Sequence, residues 1–197
     1  MISEPLSQYE EILKDAIRTS MKESGAKLAK TFQTLLIEIL TLYMILPRKI
    51  NFTQMARYGK HGEQTYRQNF NRKKKDCIDW LLLKLSLARR VLDMDGLLAI
   101  AIDPCYISKA GKKTPHIGRF WSGCAGAVKH GLEIMGVGLL DAASNKCMML
   151  RAHQTIGNSA LKMRNKILVE YYICVMKRYS KKLLSITDIV VADAFFS

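Results

Sequence analysis

The pattern of apolar and polar residues changes near residue 96, from helical spacing to short continuous apolar runs. In residues 6–30, apolar side chains recur at helical spacing, at Leu6, Tyr9, Leu13, Ile17 and Met21. Residues 31–46 are apolar on most faces, which predicts a helix buried in a bundle and ended by Pro47. Residues 79–91 predict a further apolar helix. The first half of the chain is therefore predicted to be helical.

A short helix, a glycine turn and a polar helix lie between those apolar segments. Residues 50–58 predict the short helix, with Asn51 or Thr53 as its N-cap. The turn spans residues 59–62, and residues 63–75 form a helix rich in amides and basic groups. This order is the outline of a helix-turn-helix.

Two apolar runs rich in Ile and Val each lead to an aspartate: residues 97–102 precede Asp103, and residues 188–192 precede Asp193. Such runs are typical of strands buried on both faces of a sheet. A carboxylate at the C-terminal end of such a strand lies where ligands collect in α/β sheets. If the two strands are neighbours, Asp103 and Asp193 converge and can share a divalent cation. The alternative is that each aspartate only caps a turn.

Between the aspartates, the pattern predicts a long loop, a hairpin and a helix. The loop covers residues 104–131, and strands at 132–140 and 146–152 are joined by residues 141–145. An amphipathic helix follows at 158–182, and the fourth strand is expected at 186–192. The fold class is therefore α+β.

The formal net charge of +14 is concentrated after residue 47. Residues 1–47 carry 5 basic and 6 acidic side chains, residues 48–96 carry 12 and 5, and residues 97–197 carry 14 and 6. An excess of this size indicates a polyanionic partner, most often nucleic acid and less often an anionic membrane surface.

Two basic segments are candidates for contact with DNA. The predicted polar helix carries side chains that read base edges, and a basic run follows them: Gln64, Arg67, Gln68 and Asn69, then Arg72, Lys73, Lys74 and Lys75. The loop interleaves cations with aromatic residues, and its candidates are Lys109, Lys112, Lys113, Arg119 and Trp121. The alternative interpretation is a solvated helix end and a solvated loop.

The cysteine pattern and the hydropathy favour a cytoplasmic protein. The five cysteines are widely spaced and form no C-x-x-C pair, which favours reduced thiols. The most apolar stretch, residues 35–46, is too short to span a bilayer, and no signal peptide is evident at the N-terminus. We therefore expect no membrane partner.

Three segments resemble the DDE-type transposases of bacterial insertion sequences. Residues 102–115 and 118–124 are similar to the region around the first aspartate of that family, and residues 191–197 to the region around the second. The resemblance implies an incomplete RNase H-like α/β domain at residues 96–197, after a helical DNA-binding module at residues 1–95. It also implies a nucleoid-associated bacterial protein.

The resemblance further implies that Asp103 and Asp193 are catalytic and hold Mg²⁺ or Mn²⁺. The reaction would be DNA cleavage at transposon ends followed by strand transfer into target DNA, by a homodimer or in association with an intact transposase. Family members carry a third carboxylate, a glutamate, beyond the region that matches. Because Glu133, Asp141 and Asp188 are expected away from the aspartate pair, we expect this chain to be inactive on its own.

Two other interpretations fit the same sequence. One is a non-catalytic DNA-binding protein that occupies transposon ends and inhibits the intact enzyme. The other is a decayed fragment without a stable fold.

Overall fold

The computed structural model describes residues 4–47, 50–71, 78–111, 114–163 and 167–192. These residues form two compact units, Met1–Arg90 and Val91–Ser197, which we call the helical unit and the sheet unit. Among the described residues, no helix combines the length and the apolar character needed to cross a bilayer.

The described part of the helical unit contains five helices: α1 (Glu4–Ser24), α2 (Lys30–Ile45), α3 (Phe52–Tyr58), α4 (Glu63–Asn71) and α5 (Trp80–Ala88). The first helix is shorter than predicted because Gly25 adopts a left-handed conformation, with φ of 71°, which ends the helix. Asn51 caps α3, since its side-chain oxygen accepts a hydrogen bond from the Gln54 N–H at 2.8 Å. The predicted extension of α4 over residues 72–75 lies outside the described residues.

Two apolar clusters form the core of the helical unit. One joins α1, α2 and α5, and includes Leu13, Ile17, Phe32, Leu36 and Leu83. The other joins α2 to the α3–α4 pair, and includes Leu35, Ile39, Leu42, Met55 and Tyr66. The helix α2 belongs to both clusters, which explains why its sequence is apolar on most faces.

The carboxylate of Glu38 on α2 holds the turn between α3 and α4. Its Oε1 accepts the Lys60 N–H at 2.5 Å and the hydroxyl of the fully buried Tyr66, and its Oε2 lies 2.8 Å from His61 Nδ1. Burial alone would raise the pKa of Glu38, but the hydrogen bonds from Tyr66, Lys60 and His61 outweigh it and lower the pKa. Burial and the bond to Glu38 together raise the pKa of Tyr66 to about 12.

The residues described in the sheet unit form five strands and two helices. The strands are β1 (Leu98–Ser108), β2 (Gly118–Ser122), β3 (Ala127–Asp141), β4 (Lys146–Gln154) and β5 (Val190–Ala192). The helices, α6 (Asn158–Met163) and α7 (Leu168–Leu183), lie between β4 and β5. The structure therefore combines helices with a mixed sheet, in agreement with the predicted α+β class.

The sheet is organised around β1 and β3, which pair antiparallel from Leu98–Asp141 to Ser108–Gly131. The other edge of β1 pairs with β5 in parallel, and β3 also pairs antiparallel with β2 and β4. Alternate residues of β3, including Met135, Val137 and Leu139, are buried on the face that α7 covers. On that face the Tyr172 hydroxyl of α7 donates to Glu133.

Several predicted boundaries in the sheet unit are wrong. The predicted loop at 104–131 contains β2, the first residues of β3 and the last residues of β1, so the described sheet has five strands instead of four. The predicted helix at 158–182 is described as two helices, α6 and α7. The last strand covers only Val190–Ala192 and is exposed, because within the described residues β1 alone pairs with it.

Replacing Gly59 with alanine should destabilise the helical unit. A Cβ at residue 59 would lie 2.7 Å from both Glu38 Oε1 and Met55 O, and would meet the Tyr66 hydroxyl. Overpacking of this kind lowers the free energy of unfolding by about 1–3 kcal/mol. Urea denaturation followed by Trp80 fluorescence, in a Trp121→Phe background, measures the change. Gly62→Ala is the matched control, since a Cβ there meets nothing within 4 Å. Equal stability of the two variants would contradict the prediction.

The stabilising effect of Glu38 should depend on pH. The lowered pKa of Glu38 means that its ionised form stabilises the folded state above its ordinary pKa of 4.5 and loses that effect as the pH falls through the folded pKa. Glu38→Gln should therefore lower the free energy of unfolding at pH 7, and the difference from the unmodified chain should shrink below about pH 4. Urea titrations at both pH values test this, and a difference that is independent of pH would contradict it.

Candidate active site

Asp103 is the sixth residue of β1 and its side chain is exposed. The prediction that it ends the strand is wrong, because β3 continues to pair with β1 as far as Ser108. The neighbouring residues Ile102 and Pro104 lie opposite the buried Val137 and Met135, on the face covered by α7. Since successive side chains of a strand alternate, Asp103 lies on the opposite face of the sheet.

The parallel pairing of β1 with β5 brings the second candidate segment beside Asp103. Ile100 lies opposite Val190, Ala101 opposite Val191 and Ile102 opposite Ala192, and the Ile100 N–H donates to Ile189 O at 2.9 Å. In the sequence, Asp103 follows Ile102 and Asp193 follows Ala192. Asp193 itself lies outside the described residues.

Small residues lie across the sheet from Asp103. Its cross-strand partner is Gly136, and the partner of Gly136 on β4 is Ala152. A Cβ at residue 136 would lie 3.4 Å from the backbone oxygen of Asp103 and 3.6 Å from the Met149 methyl, so the Met149 side chain lies beside Gly136. The Asp103 side chain forms no hydrogen bond or ion pair with the other described residues. An exposed, unpaired carboxylate fits the oxygen ligands that Mg²⁺ prefers.

The described residues contain no group of three or more His, Cys, Asp or Glu side chains that could hold a metal ion. The three other carboxylates that the sequence offered, Glu133, Asp141 and Asp188, lie away from Asp103. Glu133 is buried on the α7 face, where it accepts the Tyr172 hydroxyl, and this bond together with burial raises the pKa of Tyr172. Asp188 is exposed and precedes β5, at the opposite end from Ala192.

Asp141 is buried at the end of β3, five residues or roughly 17 Å from Gly136. Its carboxylate accepts the Ser144 hydroxyl and the N–H groups of Ala143, Ser144 and Asp93. The hydroxyl bond contributes most to lowering the pKa of Asp141. This carboxylate therefore closes the hairpin between β3 and β4, and it is too far from Asp103 to share an ion with it.

Three of the predicted base-reading residues are exposed on α4: Gln64, Arg67 and Gln68. Their spacing places them on one side of the helix. Arg67 forms an ion pair with Glu63, and its guanidinium lies 5.0 Å from the Phe52 ring centroid. Asn69 instead donates to the backbone oxygen of Thr65 at 2.8 Å. The polar side of α4 is thus formed by the two glutamines and by Arg67, which Glu63 and the Phe52 ring hold in position.

The basic candidates are only partly described. Lys109, Arg119 and Trp121 are exposed in the sheet unit. The remaining candidates lie outside the described residues: Arg72, Lys73, Lys74, Lys75, Lys112 and Lys113.

The hairpin formed by β2 and the beginning of β3 was not predicted. In this hairpin Arg119 lies opposite His130 and Trp121 opposite Val128. Residues 119–122 alternate between exposed and buried in the structure, but their sequence is polar, apolar, apolar and polar, so it carries no alternation that would predict a strand. His130 and Val128 were therefore not recognised as surface neighbours of Arg119 and Trp121.

Comparison with known proteins identifies the family. No curated protein matches the chain. A family model described as "DDE superfamily endonuclease" matches residues 25–163, a segment that includes Asp103 and ends before Asp193. Because this match covers more than half of the 197 residues, the chain belongs to the DDE superfamily endonuclease family.

Proposed function

We propose that this chain is a transposase of the DDE type that binds transposon-end DNA and contributes Asp103 and Asp193 to a divalent-metal site. The observation that supports this proposal best is the parallel register of β1 and β5, which ends at Ile102 opposite Ala192. One further step along both strands leads to the two aspartates in the sequence. Membership of a DDE endonuclease family implies DNA as the substrate.

The two carboxylates would hold Mg²⁺ or Mn²⁺. When bound, such ions activate the attacking oxygen and stabilise the leaving oxygen of a phosphodiester. The chain itself supplies an exposed carboxylate on a strand, opposite Gly136. Because the Asp103 side chain makes no competing bond within the described residues, its oxygens are available to a cation.

The α3–α4 pair is proposed to bind the DNA duplex. The exposed side of α4 carries Gln64, Arg67 and Gln68, which are side chains that form paired hydrogen bonds with base edges in the major groove. Glu38 fixes the turn before α4, so this side of the helix is presented in one orientation. Residues 48–96 carry 12 basic and 5 acidic side chains, which supplies the attraction to phosphate.

Replacing Asp103 with asparagine should weaken divalent-metal binding. The substitution keeps the size of the side chain but removes the charge that attracts the cation. We expect the dissociation constant for Mn²⁺, measured by electron paramagnetic resonance on the full chain, to rise roughly tenfold or more.

Asp188→Asn is the matched control for this experiment, because Asp188 is an exposed aspartate that precedes the neighbouring strand β5, at the opposite end from Ala192. It should leave Mn²⁺ binding within about twofold of the unmodified chain. If Asp103→Asn binds Mn²⁺ as well as the control does, Asp103 is not a metal ligand. A chain that binds DNA under those conditions would then fit the non-catalytic alternative.

Replacing Arg67 with alanine should weaken sequence-specific DNA binding. The affinity of the full chain for a duplex selected from a random pool should fall roughly tenfold, because a base contact by arginine is lost. Binding to unselected duplex should change less, and binding of the unmodified chain should weaken steeply between 50 and 200 mM salt.

Arg18→Ala is the control, since Arg18 is an exposed arginine of the same unit that lies on α1. It should change neither affinity by more than about twofold. Fluorescence anisotropy with labelled duplexes measures both. Equal losses for Arg67→Ala and Arg18→Ala, or binding that does not respond to salt, would contradict the assignment of α4 to the major groove.

A further inference from the structure

The hairpin of β2 and β3 presents an aromatic and basic surface that no part of the proposed metal site uses. Its exposed side chains are Arg119, Trp121, Val128 and His130, which we call the hairpin face. Trp121 is 53% exposed, whereas Phe120 and Ser122 on either side of it are only 3% and 5% exposed. The indole thus lies on the solvent side of a strand whose alternate residues are buried.

The hairpin is held in place at its base. The Tyr106 ring of β1 lies against Gly131, where a Cβ would approach to 2.6 Å from the ring. The Tyr106 hydroxyl donates to the backbone oxygen of His130 at 2.8 Å. Only glycine at residue 131 permits this contact. Because the backbone that carries the hairpin face is fixed, binding a ligand there requires little ordering of the chain.

The hairpin face and Asp103 lie on the same side of the sheet. Val128 and His130 are even-numbered residues of β3, as is Gly136, the partner of Asp103. The pairing of β3 with β1 and β2 runs over residues 127–141 without a register shift. Because a strand rises by about 3.3 Å per residue, Val128 is about 26 Å from Gly136 along β3. This length corresponds to about eight stacked nucleotides at ~3.4 Å each.

The charge around the hairpin face favours a polyanion. From Pro104 to Leu132 the sequence contains five Lys or Arg residues and no Asp or Glu. The only carboxylate of β3 before its end, Glu133, is buried on the other side of the sheet. A nucleic-acid backbone that approaches the hairpin face therefore meets the Arg119 cation and no repelling carboxylate from this segment.

We infer that the hairpin face binds an unpaired nucleotide of the DNA strand, with its base stacked on the Trp121 ring and its phosphate beside Arg119. A paired base within a duplex does not offer its ring face, whereas an unpaired base does, and stacking on an exposed indole suits any of the four bases. The inference rests on the proposed function, because it places this nucleotide on the same DNA that reaches Asp103.

Binding of a single-stranded oligothymidylate, compared with that of a fully paired duplex, tests the inference. In the full chain with Trp80→Phe, Trp121 is the only tryptophan, and the oligonucleotide should quench its fluorescence. Trp121→Ala should weaken oligothymidylate binding at least about fivefold and leave duplex binding within about twofold. Trp121→Phe should restore part of the lost affinity, because phenylalanine keeps a ring for stacking.

Tyr9→Ala is the matched control, since Tyr9 is an aromatic residue of α1 with a similar exposure of 52%. It should change neither affinity. If the duplex is bound but the oligonucleotide neither quenches Trp121 nor binds more weakly to Trp121→Ala, the inference is wrong and the proposed function stands. If neither DNA is bound and Asp103→Asn leaves Mn²⁺ binding unchanged, the proposed function fails as well. Quenching by the oligonucleotide without duplex binding would support the hairpin site alone.

Discussion

The antiparallel pairing of β1 with β3 is the constraint on which the sheet unit depends. It runs from Leu98 opposite Asp141 to Ser108 opposite Gly131, and every other strand joins one of these two. Because side chains alternate strictly along paired strands, this one register decides which residues face α7 and which face away. It places Val137 and Leu139 in the core and Asp103 on the open face.

Much of this arrangement could be predicted from the sequence. The continuous apolar run before Asp103 predicted a buried strand, and Leu98, Ala99 and Ile100 of that run are buried. The hairpin around residues 141–145 was predicted from its polar turn residues, and the structure confirms it. In the helical unit, the spacing of apolar residues predicted α1 and the apolar character of residues 31–46 predicted α2. Asn51 was one of the two N-caps predicted for α3.

Other features depended on tertiary contacts that a local pattern does not contain. Residues 104–108 belong to β1 only because a distant segment, residues 131–135, pairs with them. The same holds for β2, whose five residues are extended because they pair with β3. At the candidate site, the sequence supplied Asp103, but its position opposite Gly136 followed only from the register.

Pro104 has a consequence for how the edge of β1 behaves toward other chains. The backbone N–H of Ile100 points to β5. Because the backbone N–H groups of alternate residues in a strand point to the same side, an N–H at residue 104 would point to the same edge of β1. Proline has no N–H, and the edge lacks a donor at the residue after Asp103. Strands with open edges recruit foreign strands and aggregate, and a proline on the edge is one of the ways in which proteins prevent this. Within the described residues β5 pairs with β1 only from Ile100 to Ile102, so the proline after the carboxylate lies beyond that pairing and denies a further strand a donor at this residue.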